Sequence, residues 1–235
     1  MKKKIVALAL VVAVAAMLAA GLTLAYFTDT AEAENVMVMG KVDIALNEKQ
    51  RDANGIFEDF VNDKMLLPAV GSAVLDGDVY HADLKNVIDK FVSVTNNGNT
   101  GAYVRVALAF EQGSLELTKF LDLIKLNTNT TAWTWTQPVE IVVGGEDYVM
   151  YVATHTAEVA KNTTTADCLR QFYLAPAATQ EDAAAIDGND DGKYEILVMA
   201  QAVQADGFSD AATALDAAFG ALSAAAHPFA VTVTP

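Results

Sequence analysis

The chain has 235 residues, 53% of them hydrophobic, and a formal net charge of −15. A chain with this much negative charge repels nucleic-acid phosphates and anionic lipid headgroups, which excludes binding to either through charge attraction. Its single cysteine, Cys168, excludes an internal disulfide and a thiolate zinc cluster. The composition supports a sizeable apolar core, and the length suits one domain that follows a leader segment.

The start of the chain is organised as a signal segment. Lysines at positions 2–4 precede an uncharged apolar run that ends in small residues at Ala25, just before a polar stretch. We predict a signal peptide over 1–25, cleavage between Ala25 and Tyr26, and one secreted domain over 26–235 at the cell surface or in the extracellular matrix. The membrane is then contacted only transiently. A retained anchor is the alternative, because the run approaches the roughly 20 residues of a spanning helix.

The first half of the domain is rich in strand signals. Lys41–Leu46 alternates polar and apolar residues, as a half-buried strand does. Lys90–Thr95 and Ala102–Leu108 also alternate, and the glycine- and asparagine-rich stretch Asn96–Gly101 separates them. Two such runs around a strong turn signal predict a β-hairpin.

The second half repeats this pattern. Val139–Val143 and Tyr148–Val152 flank Gly144 and Gly145, which predicts another hairpin, and Glu195–Gln204 predicts a long late strand. Short strands with frequent turns favour an all-β sandwich.

Three segments have helical spacing instead. Ser114–Leu126 and Thr179–Ile186 predict short helices that interrupt the strands, each beginning at a capping residue. The alanine-rich stretch 209–225 predicts an amphipathic C-terminal helix. The tail, Phe229–Val233, alternates and predicts a final strand or a docking segment.

The inventory of reactive side chains does not indicate an enzyme. His81, His155 and His227 are far apart, without the HExxH spacing that places two imidazoles and a glutamate around zinc. No G-x-S-x-G elbow is present. Cys168 lacks the surroundings of a catalytic thiol, so we expect it to be buried and structural.

One stretch resembles a cation site. Asp187, Asn189 and Asp191 fit the D-x-N-x-D-G half of a calcium loop, and Glu195 is a candidate fourth ligand. The residue in the EF-hand's bidentate position is Val198, which excludes an EF-hand. An acidic, glycine-rich turn without calcium is the favoured interpretation, because such turns are common.

Two tryptophans share one face of a strand. Trp133 and Trp135 alternate with threonines, so both indoles point the same way. Core packing is the favoured interpretation, and a stacking platform for sugar rings in a surface carbohydrate-binding module is the alternative.

The apolar run ends in Leu24–Thr30, which is followed by Glu34–Val36 and Gly40–Leu46. These stretches resemble those of the TasA/camelysin family of exported Gram-positive proteins. That family leaves its apolar run through A-[YF]-F-[ST]-D and continues with an N-x-[FV] segment and a G-x-[LV]-D-[IL] strand. The junction is the most specific match, and the others lie in the middle and at the end of the chain. The matching stretches are Leu24–Thr30, Glu34–Val36, Gly40–Leu46, Leu67–Gly71, Val92–Gly98, Ala102–Val106 and Ala200–Phe208.

The resemblance implies a mainly β, jelly-roll-like antiparallel sandwich with short helical insertions and a C-terminal helix, preceded by the signal helix. It also implies processing by a SipW-type signal peptidase and polymerisation into biofilm-matrix fibres. In that process the freed segment, Tyr26–Met39 with Asn35, Val36 and Val38, pairs as a donor strand with the next subunit.

The same family includes camelysin-type proteins described as metallopeptidases. The chain has no recognisable zinc motif, so that activity remains an alternative to a non-enzymatic structural protein. We expect no cofactor, and calcium at the acidic loop is the alternative.

Overall fold

The computed structural model describes residues 41–61, 64–72, 75–76, 79–80, 84–189 and 191–230. The predicted signal peptide, the cleavage residues Ala25 and Tyr26, and the donor residues Asn35, Val36 and Val38 lie outside them. Within the described residues, no helix has both the length and the hydropathy to cross a membrane.

The described part of the chain is mainly β. Its strands are β1 (Ile44–Arg51), β2 (Phe57–Asp59), β3 (Val70–Gly71), β4 (Leu75–Asp76), β5 (Val79–Tyr80), β6 (Leu84–Lys85), β7 (Ile88–Asn96), β8 (Ala102–Glu111), β9 (Ile124–Thr128), β10 (Trp133–Trp135), β11 (Val139–Val143), β12 (Glu146–His155), β13 (Thr163–Thr164), β14 (Leu169–Leu174) and β15 (Ile196–Gln204). Its helices are α1 (Leu117–Leu123), α2 (Gln180–Ile186) and α3 (Ala211–Phe219).

Two open antiparallel sheets contain most of these strands. The first sheet has the order β2-β1-β7-β14-β9, with β13 also pairing with β7. The second has the order β10-β12-β8-β15, with β11 also pairing with β12. The pairs β3-β6 and β4-β5 are separate. We call the two main sheets the first and the second sheet.

The core lies between the two sheets. Val92 and Val94 from β7 pack in one cluster with Val104, Val106 and Leu108 from β8, and all five are fully buried. The alternation of their strands places these side chains on the facing surfaces of the sandwich.

A second apolar cluster covers the opposite face of the second sheet. It contains Ala107, Ala109 and Met150, against which Leu222 and Phe229 from the C-terminal region pack. The second sheet is therefore buried on both faces.

The predicted hairpin between Lys90–Thr95 and Ala102–Leu108 is wrong. β7 pairs with β1, β13 and β14, whereas β8 pairs with β12 and β15. The connection between β7 and β8, which we call the arch, carries the chain from one sheet to the other. The Asn96 side chain donates to the Thr100 carbonyl in the arch at 2.8 Å and to the Val159 carbonyl, outside the arch, at 2.9 Å. Both strands have apolar faces, which pack across the sandwich rather than side by side.

The second predicted hairpin is confirmed. β11 and β12 pair in register from Val139↔Met150 to Val143↔Glu146. Gly144 and Gly145 between them have φ values of +65° and +101°, a conformation that strongly favours glycine. The late strand is confirmed as β15.

Two of the three helices are shorter than the sequence predicts. A helix is predicted over Ser114–Leu126, but α1 begins only after Glu116, whose side chain provides no cap. The residues of its predicted last turn form β9, which pairs with β14. α2 is capped at Thr179 as predicted, and the structure shows a full capping box with Asp182 as its partner. The C-terminal helix is predicted over 209–225, but α3 covers only Ala211–Phe219 and ends at Gly220, whose φ is +80°.

The C-terminal tail departs from the predicted strand at its beginning. Phe229 lies in a turn, and residues 231–235 lie outside the described part of the chain.

Candidate functional site

The outer edge of β15 is the longest strand edge at the margins of the two sheets. The amide of Glu111 donates to the carbonyl of Glu195, and that of Ala205 to the carbonyl of Gly101, both at 3.0 Å. Bonded pairs alternate along an antiparallel ladder, so the residues at odd positions of β15 are bonded to β8. The residues that direct their backbone N–H and C=O groups away from β8 are Ile196, Val198, Ala200, Ala202 and Gln204.

Among the described residues, no backbone group pairs with this outer edge. The side chains of Ile196, Val198, Ala200 and Ala202 pack against the core between the sheets. A strand added beside β15 would therefore extend the second sheet and also cover part of the core.

The other outer strands are shorter, and most of them have charged side chains. β9 has five residues and includes Lys125, β11 has five and includes Glu140, and β2 has three and includes Glu58 and Asp59. β10 has three residues. β15 has nine residues, ILVMAQAVQ, with neither a charge nor a proline. Charges and prolines are the features by which strand edges are usually protected from association, and β15 has neither.

The sheet face of β15 that points away from the core is held by α3. The Arg105 side chain is almost fully buried and donates to Gln201 Oε1 at 2.7 Å, to Asp216 Oδ1 at 2.9 Å and to the Gly220 carbonyl at 2.9 Å. Burial lowers the pKa of Arg105, and Asp216 opposes that shift. Arg105 thus ties β8, β15 and the end of α3 together, so the outer edge is the side of β15 with which no described residue pairs.

A groove of about 770 Å³ lies at the start of β15. Its walls include Phe60 and Met65 from the segment that follows β2, Phe172 and Leu174 from β14, and Tyr194 and Ile196 from β15 and the residues before it. We call it the β15 groove.

The β15 groove also contains charged groups. Lys90 Nζ lies 3.9 Å from the centre of the Phe60 ring and donates to Glu48 Oε2 at 2.6 Å. Its lining also contains Lys64, Lys193 and the carboxylates of Asp187 and Glu195.

Several exposed apolar side chains lie between residues 56 and 70, and two of them, Met65 and Leu67, line the groove. Met65 is 72% exposed and Phe57 58% exposed. The others in this part of the chain are Ile56, Val61, Leu67 and Val70. An apolar surface of this kind, continuous with an open strand edge, is typical of an interaction site.

The acidic loop, which contains Asp187, Asn189 and Asp191, forms a turn held by hydrogen bonds between its own residues. Asp187 Oδ1 and Oδ2 accept from the amides of Asp191 and Gly192 at 3.1 and 2.8 Å, and Asn189 Oδ1 accepts from the Asp191 amide at 3.0 Å. Asp191 also pairs with Lys193, which lowers the pKa of this carboxyl.

Glu195 is engaged away from the turn. Its Oε2 accepts from the Tyr148 hydroxyl at 2.7 Å. Among the described residues, no three His, Cys, Asp or Glu side chains form a metal-binding group. Calcium binding by Asp187, Asn189, Asp191 and Glu195 stays a prediction.

Sequence reasoning missed the buried carboxylate that holds this loop. Glu111 is 1% exposed, and its two oxygens accept from the amides of Gly188 and Glu195 at 2.9 and 3.0 Å. Burial raises its pKa, and the carboxylates of Asp187 and Glu195 add to that effect. A charged residue at the end of an apolar strand gives no signal in sequence that it turns inward.

The tryptophan pair belongs to the core, as the favoured interpretation predicts. Trp133 is 1% exposed and donates from its indole nitrogen to the Ala166 carbonyl at 2.9 Å. Trp135 is half-buried and donates to the Asn129 carbonyl at 3.1 Å.

The remaining reactive side chains are separated. Cys168 is fully buried, as expected, and burial raises the pKa of its thiol to about 12. His155 contacts the Ala157 carbonyl through Nδ1 at 2.8 Å, and His227 lies near Phe229. His81 lies outside the described residues.

Comparison of the chain with protein-family models, with curated proteins and with solved structures found no match.

Proposed function

We propose that the protein is an exported, non-enzymatic structural protein that assembles head to tail. In this proposal, residues 26–39 of one subunit pair as a strand with the outer edge of β15 in the next. The jelly-roll-like arrangement, the signal helix over 1–25 and cleavage after Ala25 by a SipW-type peptidase belong to the same proposal. The product is a fibre of the cell surface or biofilm matrix.

The outer edge of β15, with which no described residue pairs, is the observation that carries this proposal. Strand addition gives affinity through main-chain hydrogen bonds, and β15 offers alternate N–H and C=O groups along nine residues. An antiparallel strand rises about 3.4 Å per residue, so pairing along all of β15 requires about 30 Å of extended partner. The 14-residue segment 26–39 exceeds that length.

Repetition of one head-to-tail contact explains why the product is a filament. A contact between two different surfaces propagates unless its rotation closes a ring. Cleavage after Ala25 frees the donor segment from the apolar leader, so processing and assembly are linked.

Electron microscopy and sedimentation of the processed protein, beginning at Tyr26, test the proposal. We expect fibres from this chain and none from a matched chain that lacks residues 26–39. Both chains are to be compared by circular dichroism, so that loss of folding is separated from loss of assembly. Monomers from the chain with 26–39 intact, or fibres from the truncated chain, would contradict the proposal.

A peptide of residues 26–39 supplies an independent test. Added in excess, it should occupy the edge of β15 and stop fibre growth, whereas a peptide of the same composition in scrambled order should not.

A further inference from the structure

The two ends of β15 differ, and the difference fixes how a partner strand can run. The strand begins at Ile196 in the β15 groove and ends at Gln204 beside the arch. The described chain also starts at the arch, where the Lys41 amide donates to Asn99 Oδ1 at 2.6 Å and the Asn99 amide donates to the Lys41 carbonyl at 3.1 Å. Any donor segment therefore leaves its own subunit at the arch end.

In a head-to-tail filament all subunits point the same way. The arch end of one subunit then meets the groove end of the next, so the C-terminal end of the donor, Met39, lies at the acceptor's β15 groove and its N-terminal end lies towards the acceptor's arch. The donor chain therefore runs from the acceptor's arch to its groove, whereas β15 runs from the groove to the arch. That direction is antiparallel to β15. The opposite direction would bring arch to arch, a self-complementary contact that closes as a pair.

The donor sequence fixes which face points inward. Residues 31–39 read AEAENVMVM, so odd positions carry Ala31, Ala33, Asn35, Met37 and Met39, whereas even positions include Glu32 and Glu34. Successive side chains of a strand point to opposite faces, and a buried unpaired carboxylate is costly. The odd positions must therefore face the sandwich core.

We propose that Met37 and Met39 of one subunit insert into the β15 groove of the next, with Met39 opposite Ile196 and Ala31 opposite Gln204. This inference rests on the proposed function and names the anchoring site of the strand. In this register the odd donor residues lie opposite the even residues of β15, whose side chains face the core. Val36 and Val38, with Glu32 and Glu34, lie on the other face.

The chemistry of the groove matches this placement. Its apolar walls suit methionine, a flexible side chain that fills irregular spaces. Lys64, Lys90, Lys193 and the carboxylates of Asp187 and Glu195 also line the groove, so the match rests on its apolar walls. The antiparallel direction places the acidic half of the donor beside Ala200 and Ala202.

A comparison of the two donor faces is the first test, with sedimentation of the processed chain as the measurement. The double substitution Met37→Glu with Met39→Glu should reduce assembly at least about tenfold, because it drives carboxylates into an apolar groove. The matched double substitution Val36→Glu with Val38→Glu adds the same charge on the other face and should change assembly less than about threefold. Equal effects, or the reverse order, would overturn the inference.

Disulfide trapping tests the direction of the donor. Met65 is exposed at the groove, and Cys168 is buried, so each chain needs two new cysteines. We expect Met39→Cys with Met65→Cys to form covalent ladders on oxidation, and Phe27→Cys with Met65→Cys to form none. Ladders from the second pair, or fibres without ladders from the first, would overturn the inference and leave the proposed function intact. Absence of fibres from the unsubstituted chain would instead refute the proposed function.

Discussion

The outer strands β15 and β9 each border one sheet and differ in the properties that govern edge pairing. β9 is five residues long, and its Lys125 Nζ donates to the Leu121 carbonyl at 2.8 Å. β15 is nine residues long and uncharged, and its outward backbone groups have no partner among the described residues. A short, charged edge strand is protected from pairing with another chain, whereas a long, apolar edge strand can accept a further strand.

Of the changes that make β15 resemble a protected edge such as β9, a proline at the centre of β15 should have the largest effect on assembly. The Ala200 amide points outward, so Ala200→Pro removes a donor from the edge without removing a bond to β8. We expect fibre formation to be lost while the subunit stays folded. Ala200→Ser keeps the amide and should assemble like the unsubstituted chain. Fibres from the proline variant, imaged by electron microscopy, would contradict the role of this edge.

Removing Arg105, which holds the other face of β15 to α3, should have the next largest effect. The quantity affected is the stability of the subunit. Arg105→Met deletes the bonds to Gln201, Asp216 and the Gly220 carbonyl from a buried position. We expect a loss of about 3 kcal/mol in the free energy of unfolding, because hydrogen bonds to charged groups are stronger than neutral ones. Urea denaturation measures it, with Lys125→Met on β9 as the control that should change stability by less than about 0.5 kcal/mol. Equal losses in the two variants would contradict the anchoring role.

Adding a charge to β15 should weaken assembly more gently. Met199 is 37% exposed, on the face of β15 that points away from the core. Met199→Glu places a negative charge on the face of β15 that lies beside Glu32 and Glu34 of the donor, and we expect fibre growth to slow several-fold. Met199→Gln is the uncharged control. Growth followed by light scattering should also recover in high salt if charge repulsion is the cause.

The smallest predicted effect is a pH dependence at Glu111. Its pKa is raised in the folded protein, so the folded state holds this proton more tightly than the unfolded state does. Its contribution to the free energy of unfolding is therefore greatest below about pH 4.5 and declines as pH rises through the raised pKa. Urea denaturation from pH 4 to pH 7 should show a smaller decline for Glu111→Gln than for the unsubstituted chain. A larger decline in the variant would contradict this sign.

The sequence predicts local structure well where short-range chemistry decides it. The Gly144-Gly145 turn and the capping box at Thr179 are both set by residues close in the chain, and both are present. The β7–β8 connection differs, because a turn signal reveals that the chain reverses but not whether the next strand pairs or crosses to the facing sheet. The end of α1 fails for a related reason: Ile124 and Leu126 fit a helical pattern, and pairing with β14 makes them a strand.

The candidate site is only partly visible in sequence. A long apolar strand over Glu195–Gln204 is predictable, but its position at the margin of a sheet depends on the topology of distant strands. The β15 groove likewise combines Phe60, Phe172 and Tyr194, which are far apart in the chain. Glu111 is missed because its partners, the amides of Gly188 and Glu195, are brought to it by the fold.

Amide hydrogen exchange in assembled fibres, resolved to single residues, tests the central claim most directly. The outward amides of Ile196, Val198, Ala200, Ala202 and Gln204 should exchange slowly in fibres, as slowly as the intervening amides bonded to β8. Fibres in which the outward amides exchange quickly while the intervening ones stay protected would show that β15 remains an open edge. That result would contradict assembly by strand addition at this site.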